Sequence, residues 1–368
     1  MQKIEQSIDN LNQLNSNNVK LHIIPSKKKI GYSTITLINQ SKKPINGHIS
    51  YNNSTPLTLY PNTLFLNIEN IFKIQDQTHI NLTQYINSTT QQYAIQAIQT
   101  IPIKSFQISH SYSSLNYMSL LKGNHRYYHT FTKNKIYKLK LKKTLFKNHI
   151  INITASTSLS RKDNQRLIED AISYSGTYEL SIHQNELSTQ IKTKWGTLTQ
   201  QISHKKGLTT FSQFQNQIGY DQSTPKAKFS NTQLHTNYQK SFKIKNIYIN
   251  TSSSSTLFYS NQKLLGSEQF SIGDQYTIKG FDGNIQGDKG AMSTAQITIP
   301  IKNIALTNSL DIGITKEENK YNKLASINTQ LNIKINKLSL SINYAKAIQR
   351  FSSITQSKKI NFQSTYHF

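Results

Sequence analysis

The chain has 368 residues, a formal net charge of +26 and a hydrophobic content of 35%, with 20 Tyr and 15 Phe against 3 Met and a single Trp, Trp195. It contains no apolar run of the roughly 18 residues that a membrane-spanning helix needs, and its wealth of aromatics, Ile and Thr excludes disorder. The absence of cysteine excludes disulfides and thiolate metal sites.

Strand formers dominate, which points to an antiparallel all-β protein, a barrel among the options. The charge alone would suit a nucleic-acid binder. Yet Asn, Ile and Lys are abundant everywhere, and no basic cluster with interleaved aromatics repeats as a recognisable module. No nucleic-acid partner is expected; a basic soluble binder would have to show steeply salt-dependent DNA affinity.

The chain opens M-Q-K-I-E-Q, without an apolar core segment, so the expectation is that this chain carries no secretory signal peptide. In residues 3–15, Ile4, Ile8, Leu11 and Leu14 recur at helical spacing and predict a short amphipathic helix. Two strands are predicted next, Val19 to Ile24 and Ser33 to Asn39, separated by P-S-K-K-K-I-G-Y. An α-β-β unit of about 40 residues is too small to bury its own core. Residues 1–42 therefore read as the back half of a small α/β domain.

From about Ile45 the pattern changes. Tyr137, Leu139 and Leu141 alternate with Lys138, Lys140 and Lys142; Leu331, Ile333 and Ile335 alternate with Asn332, Lys334 and Asn336. After a turn at Asn336-Lys337, Leu338, Leu340, Ile342 and Tyr344 alternate with Ser339, Ser341 and Asn343. Period-two alternation gives a sheet one apolar and one polar face. Segments of about nine residues or more match the length of a tilted transmembrane strand. Residues 45–368 divided among sixteen strands allow about 20 residues for each strand and its connection. The expected fold is thus a 16-stranded antiparallel transmembrane β-barrel. Its Leu, Ile, Phe and Tyr would face lipid, and Lys, Asn, Ser, Thr and Gln a wet lumen; a lysine on the lipid face would cost about 2–4 kcal/mol near the midplane.

One stretch breaks the pattern. Phe270 to Ala291, F-S-I-G-D-Q-Y-T-I-K-G-F-D-G-N-I-Q-G-D-K-G-A, holds Gly273, Gly280, Gly283, Gly287 and Gly290 among the charges Asp274, Lys279, Asp282, Asp288 and Lys289. Glycines at such density describe a shaped loop, with Gly273, Gly283, Gly287, Asp288 and Gly290 as the residues that bend it. At the other end of the barrel region, the chain finishes N-F-Q-S-T-Y-H-F. Phe362, Tyr366 and Phe368 fall on one face of a last strand and mark it as the closing strand and assembly signal.

No catalytic constellation is present: H-E-x-x-H, G-x-S-x-G and a P-loop are all missing, and the chain is not expected to be an enzyme or to hold a cofactor. His125 and His129 in H-R-Y-Y-H lie in a strand context and read as surface or girdle residues. Asp282 to Asp288 lacks the D-x-D-x-D-G order and closing glutamate of a calcium loop, so no metal is expected.

Loop, barrel pattern and terminus together resemble the outer-membrane transporters of two-partner secretion, the haemolysin-activator and filamentous-haemagglutinin transporter family (ShlB/FhaC/HecB-like). Y-T-I-K-G-F-D-G…G-D-K-G at 276–290 is similar to that family's T-V-R-G-F-D-G…G-x-x-G signature, and L-D-I-G at 310–313 to its later strand with an aspartate. I-E-Q-S-I-D-N-L-N-Q-L-N-S-N at 4–17 resembles the helix of its second POTRA domain.

The resemblance implies residues 1–42 as the C-terminal part of a POTRA domain in an N-terminally truncated chain, and a barrel over 45–368. The sixth extracellular loop, about 270–291, would fold into the lumen as a lid. Its tip, Lys279, Gly280 and Phe281, would latch onto Asp311. Lys279 stands where the family carries Arg; it keeps the charge but loses the bidentate fork, so a single-point contact or none, and a looser loop, are expected. The implied role is nucleotide-independent export of a large partner exoprotein of the haemolysin or adhesin type. The implied setting is the bacterial outer membrane, with its lipid, the secreted partner and the barrel assembly machinery as partners and the transporter a monomer. The alternative is a degenerate or truncated barrel, a passive pore or a non-functional remnant.

Overall fold

The computed structural model describes residues 8, 11–12, 14–26, 31–53, 62–86, 91–123, 126–173, 176–209, 225–274, 276–281, 283–318, 320–350 and 358–368. Of the helix expected over 3–15, Ile8 and Leu11 are helical, with Asn12 N–H donating to the Ile8 carbonyl at 2.9 Å; most of the rest lies outside the described residues. An antiparallel hairpin follows, β1 (Val19–Pro25) with β2 (Ser33–Asn39), in register from Val19↔Asn39 to Pro25↔Ser33.

The strands after the hairpin are β3 (Ile45–Asn52), β4 (Asn62–Glu69), β5 (Gln77–Ile86), β6 (Gln91–Ile103), β7 (Phe106–Lys122), β8 (Tyr127–Lys147) and β9 (Ile151–Ile168). They continue with the two-residue β10 (Ala171–Ile172), β11 (Tyr178–Thr193), β12 (Gly196–Leu208), β13 (Ser230–Ile244) and β14 (Ile247–Tyr259). Last come β15 (Phe270–Ile272), β16 (Ile285–Gly287), β17 (Lys289–Ile301), β18 (Ile304–Glu317), β19 (Lys320–Ile335), β20 (Leu338–Arg350) and β21 (Lys358–His367).

Among the described residues, sixteen strands (β3–β9, β11–β14 and β17–β21) pair antiparallel with their neighbours and close into one barrel. Closure is made by β21 on β3, from Gln363↔Asn52 to His367↔His48, so the main sheet is left without an edge. No helix of the described residues is long and apolar enough to cross a membrane.

Side-chain alternation explains which face is which. Tyr137, Leu139 and Leu141 of β8 are exposed on the outside. Between them, Lys138 reaches Gln184 Oε1 at 3.3 Å and Lys140 reaches Glu186 Oε1 at 3.2 Å, both across the lumenal side of β9. Exposed Leu, Ile, Tyr and Phe recur on the outer face of strand after strand, more apolar surface than a water-soluble wall would show. Several strands far exceed the ten or so residues expected from membrane thickness: β7, β8 and β9 have 17, 21 and 18. Beyond Leu159 of β9 the outer face becomes polar, with Arg161 ion-paired to Glu179 of β11. The wall thus continues past the apolar band.

The two ends of the barrel differ. One end, which receives the N-terminal hairpin and Phe368, carries tight turns; Lys104, Lys245, Lys302 and Asn336 take left-handed backbone in four of them, with φ between 51° and 54°. Such conformations match the twist of a two-residue hairpin. At this turn end the Glu69 carboxylate accepts the N–H groups of Asn15 (3.1 Å) and Ser16 (2.7 Å), which ties the N-terminal segment to β4. The other end carries the longer loops. Phe362, Tyr366 and Phe368 share the outward face, and Phe368 N–H donates to the Gly47 carbonyl at 3.0 Å, which fastens the end of the chain to β3.

Candidate functional site: the loop inside the lumen

The hydrophobic core of the molecule lies inside the barrel, where a wet lumen would otherwise be continuous. Leu264, Phe270, Ile272, Ile278 and Phe281 of the loop between β14 and β17 are buried against Leu180 and Ile182 of β11, Phe258 of β14 and Leu324 of β19. Contacts to these widely separated parts of the wall can all be made only from within. Full burial of each side chain contributes about 1.5–3 kcal/mol, which offsets part of the cost of ordering the loop; its hairpin and neck hydrogen bonds add to this.

The loop runs from Ser260 to Asp288, not from 270 to 291. Lys289, Gly290 and Ala291 already pair with Tyr259, Phe258 and Leu257 as the start of β17. Asp288 closes the neck: its Oδ1 accepts Leu264 N–H at 2.9 Å and the Gln269 amide at 3.1 Å, and its carbonyl accepts Ser260 N–H at 3.0 Å. A small hairpin, Phe270↔Gly287 to Ile272↔Ile285, carries the chain inward. The tip is turned by Asp274, whose Oδ1 accepts the N–H groups of Tyr276 and Thr277, each at 2.8 Å.

Glycine serves two purposes here. Gly280 takes φ +85°, and a Cβ there would stand 2.9 Å from Ala347 N of β20, so the tip lies directly on the wall. Gly290 and Gly313 supply room instead. A Cβ at Gly290 would sit 2.2 Å from the Phe270 ring, and one at Gly313 would sit 2.4 Å from Ile278 Cδ1. Gly287 likewise lets the loop hairpin approach the Lys316 backbone, while Gly273 (φ +104°) and Gly283 (φ +135°) bend the chain on either side of the tip. On the far side, Lys359 of β21 donates to the Phe281 carbonyl at 2.6 Å.

The electrostatic anchor is a residue outside the expected loop. Glu268, in the 3-10 turn Gly266–Glu268, is buried and meets two lysines: Lys162 of β9 at 3.2 Å on Oε1 and Lys205 of β12 at 3.4 Å on Oε2. Its side chain is 5% exposed and that of Lys162 is 9%, against 34% for Lys205. The Lys162 contact is thus the desolvated one, where removal of either partner leaves an uncompensated charge.

For the tip lysine a single-point contact with Asp311 or none is the expectation. No ion pair among the described residues joins Lys279 to Asp311. Asp311, 2% exposed on β18, instead accepts from Asn328 Nδ2 on the neighbouring β19 at 2.5 Å. A double-mutant cycle of Lys279→Met and Asp311→Asn, read from thermal midpoints, should therefore give a coupling energy below about 0.5 kcal/mol, as for groups without a shared contact. Coupling above about 1 kcal/mol would mean that the two charges meet. Asp282 and His125 lie outside the described residues, and no group of three or more metal-ligating side chains occurs among those described.

A closed barrel with an apolar exterior, a basic interior and a loop packed through its lumen is a plugged transmembrane β-barrel of the outer-membrane class. The chain belongs to the haemolysin secretion/activation protein family ShlB/FhaC/HecB, whose family profile matches residues 31–333, and its place is the bacterial outer membrane. It is 23% identical over 306 residues to the outer membrane transporter CdiB of Dickeya dadantii (strain 3937), a match that covers 79% of this chain and 52% of that protein. The chain thus spans about half the length of this curated relative.

In fold it is similar to CdiB from Escherichia coli, with TM-score 0.91 at 17% identity over 100% of this chain and 70% of that one. CdiB from Acinetobacter baumannii gives TM-score 0.87 at 16% identity, over 100% and 68% of the two chains.

Proposed function

We propose that this chain is the translocating barrel of a two-partner secretion system. It would pass a large secreted exoprotein, of the β-helical haemolysin or adhesin type, across the outer membrane without nucleotide. The observation that carries the reading is the lumen itself: a basic, polar tube closed by one loop that a buried carboxylate and five apolar side chains hold to the wall. A polar unfolded polypeptide suits the tube, and the loop suits a lid that leaves when the partner arrives.

In this reading the turn end faces the periplasm and residues 1–42 are the end of a POTRA-type domain. The β1–β2 hairpin supports it, since Ile23, Ile35 and Leu37 are exposed there on a two-stranded sheet that could accept a further strand from the partner. Assembly by the barrel assembly machinery and a monomeric state belong to the same proposal, with Phe362, Tyr366 and Phe368 as the assembly signal and Lys279, Gly280 and Phe281 as the tip that touches the wall. The chain is assigned no enzymatic role. Co-production with a candidate secreted protein of the haemolysin or adhesin type is the test. Export of that protein only when the barrel is present supports transport; ion conductance in planar bilayers without export would make the chain a passive pore.

A further inference from the structure

We infer that the outer face of β14, β17, β18 and β19, at the long-loop end of the barrel, docks the phosphate headgroup of a glycolipid of the outer leaflet. The choice of leaflet rests on the orientation proposed above, with the long loops outside the cell. Lys289 opens β17 and is paired directly with Lys316 of β18; Tyr259 and Tyr321 are their neighbours on β14 and β19. One row across four strands therefore reads Tyr259–Lys289–Lys316–Tyr321. Lys323 stands two residues further along β19, opposite Ile314. All three lysines point outward, because the residues that alternate with them face the loop in the lumen. Gly290 seats the Phe270 ring, Gly313 seats Ile278, and Leu324 is buried in the lumenal core.

Two observations separate this row from the general lysine richness of the chain. The first is apposition without counter-charge. Like charges directly opposite each other destabilise a sheet. Yet β12, β13, β14, β17, β19 and β20 contain no Asp or Glu. Of the two in β18, Asp311 is buried on the lumenal side and Glu317 alternates with Lys316. Nearby, Asp288 is held at the neck of the loop, and Glu318 pairs with Lys263 at 2.9 Å. Among the described residues no ion pair involves Lys289, Lys316 or Lys323. The second observation is preorganisation. Lys289 Nζ lies 4.6 Å from the Tyr259 ring centre and Lys316 Nζ 4.8 Å from that of Tyr321. The Tyr259 hydroxyl in turn donates to Asn261 Oδ1. Each ammonium thus leans on its own tyrosine, on opposite sides of the pair.

The surroundings identify the occupant. Directly below the row lies a groove of about 510 Å³, in which Leu234, Leu257, Ala291 and Ile314 supply the apolar lining. The small Ala291 stands between the larger Leu257 and Ile314 in register, which makes the furrow. Tyrosines level with lysines mark a headgroup boundary. There lysine stems rest on apolar surface and ammonium groups meet phosphate. A lipid fills both parts at once, with an acyl chain in the furrow and its phosphate on the cations. A free anion, or an acidic polypeptide in water, would leave the furrow uncovered. The outward leaflet of a bacterial outer membrane is built from phosphorylated glycolipid, which makes lipid A the matching headgroup.

The test uses the full chain with Lys289→Gln and Lys316→Gln together. A control pair, Lys104→Gln and Lys302→Gln, removes the same charge at the turn end. Relief of the apposed charges should leave the thermal midpoint in neutral detergent level or higher. Native mass spectrometry in detergent then reads binding of purified lipid A, of its dephosphorylated form and of phosphatidylglycerol. The unsubstituted chain and the control pair should prefer lipid A to both. The Lys289/Lys316 variant should bind it at least about tenfold more weakly, given the attraction of each basic residue to an anionic surface. Undiminished binding in that variant, or equal weakening in the control pair, would overturn the inference. So would phosphatidylglycerol bound as well as lipid A, or lipid A displaced by excess inorganic phosphate, which would make the site one for any anion. Orientation is read separately, by labelling Glu318→Cys on intact cells with an impermeant maleimide. An unlabelled cysteine with lipid A binding intact would refute the orientation and leave the headgroup site standing.

Discussion

Glu268→Gln should raise spontaneous channel opening in planar bilayers by about one to two orders of magnitude. The substitution keeps the shape of the side chain and removes the charge that neutralises Lys162. Breaking a buried pair by removing one partner costs about 3–5 kcal/mol. The lumen is partly wet and Lys205 is one-third exposed, so a docking penalty of about 2 kcal/mol is the more suitable figure, and that is about a thirtyfold shift in the docked-to-released ratio. Lys162→Met combined with Glu268→Gln should recover most of the closure, since neither charge is then stranded. Lys205→Gln alone should have the smaller effect, as expected for the more solvated of the two partners. An opening rate unchanged by Glu268→Gln would mean that the loop is held by its apolar side chains alone.

Phe270→Ala is the counterpart on the apolar side. The ring is 8% exposed, stacks on Phe258 at 5.6 Å with an 18° interplanar angle, and occupies the space that Gly290 leaves on β17. Truncating a buried phenylalanine costs about 3–5 kcal/mol; in a lumen that can rehydrate, about 2–3 kcal/mol is expected. The loss falls on the loop, because the closed sheet is held by its own backbone ladder. Limited proteolysis should therefore cut the variant between Ser260 and Asp288 while the barrel stays folded and resistant to detergent. Gly290→Val should give the same cleavage by the opposite route, filling the seat at an overpacking cost of about 1–3 kcal/mol. Barrel melting with the loop still protected would contradict the assignment of Phe270 as a loop anchor.

The barrel was legible because its signal is local. Leu331, Ile333 and Ile335 against Asn332 and Lys334 state their faces by alternation alone, and Ile45 marks the change of pattern where β3 begins. What could not be read depends on partners far apart in the chain. Glu268 meets lysines 106 and 63 residues away, and in a chain so rich in lysine no spacing singles out Lys162 and Lys205. The scarcity of acidic residues, 17 Asp and Glu against 43 Lys and Arg, was the available hint that a Glu inside a loop has a purpose.

The latch illustrates the same limit. The resemblance leaves a Lys279–Asp311 contact open, single-point or none; the partner that the Asp311 carboxylate does have, Asn328, is fixed by the register of β18 and β19 and not by any motif. Gly313 stood in the sequence as part of L-D-I-G. Its use as the seat of Ile278 emerges only when the loop is folded onto it.

If the barrel exports a partner as proposed, the loop must leave the lumen for that partner to pass. The chain has no cysteine of its own, so Ile278→Cys and Gly313→Cys introduce a single pair where loop tip and wall touch. Export of the secreted protein measured before and after oxidation, and again after reduction, tests the claim directly. Export should stop on oxidation and return with reductant. Undiminished export through the oxidised, cross-linked barrel would contradict it.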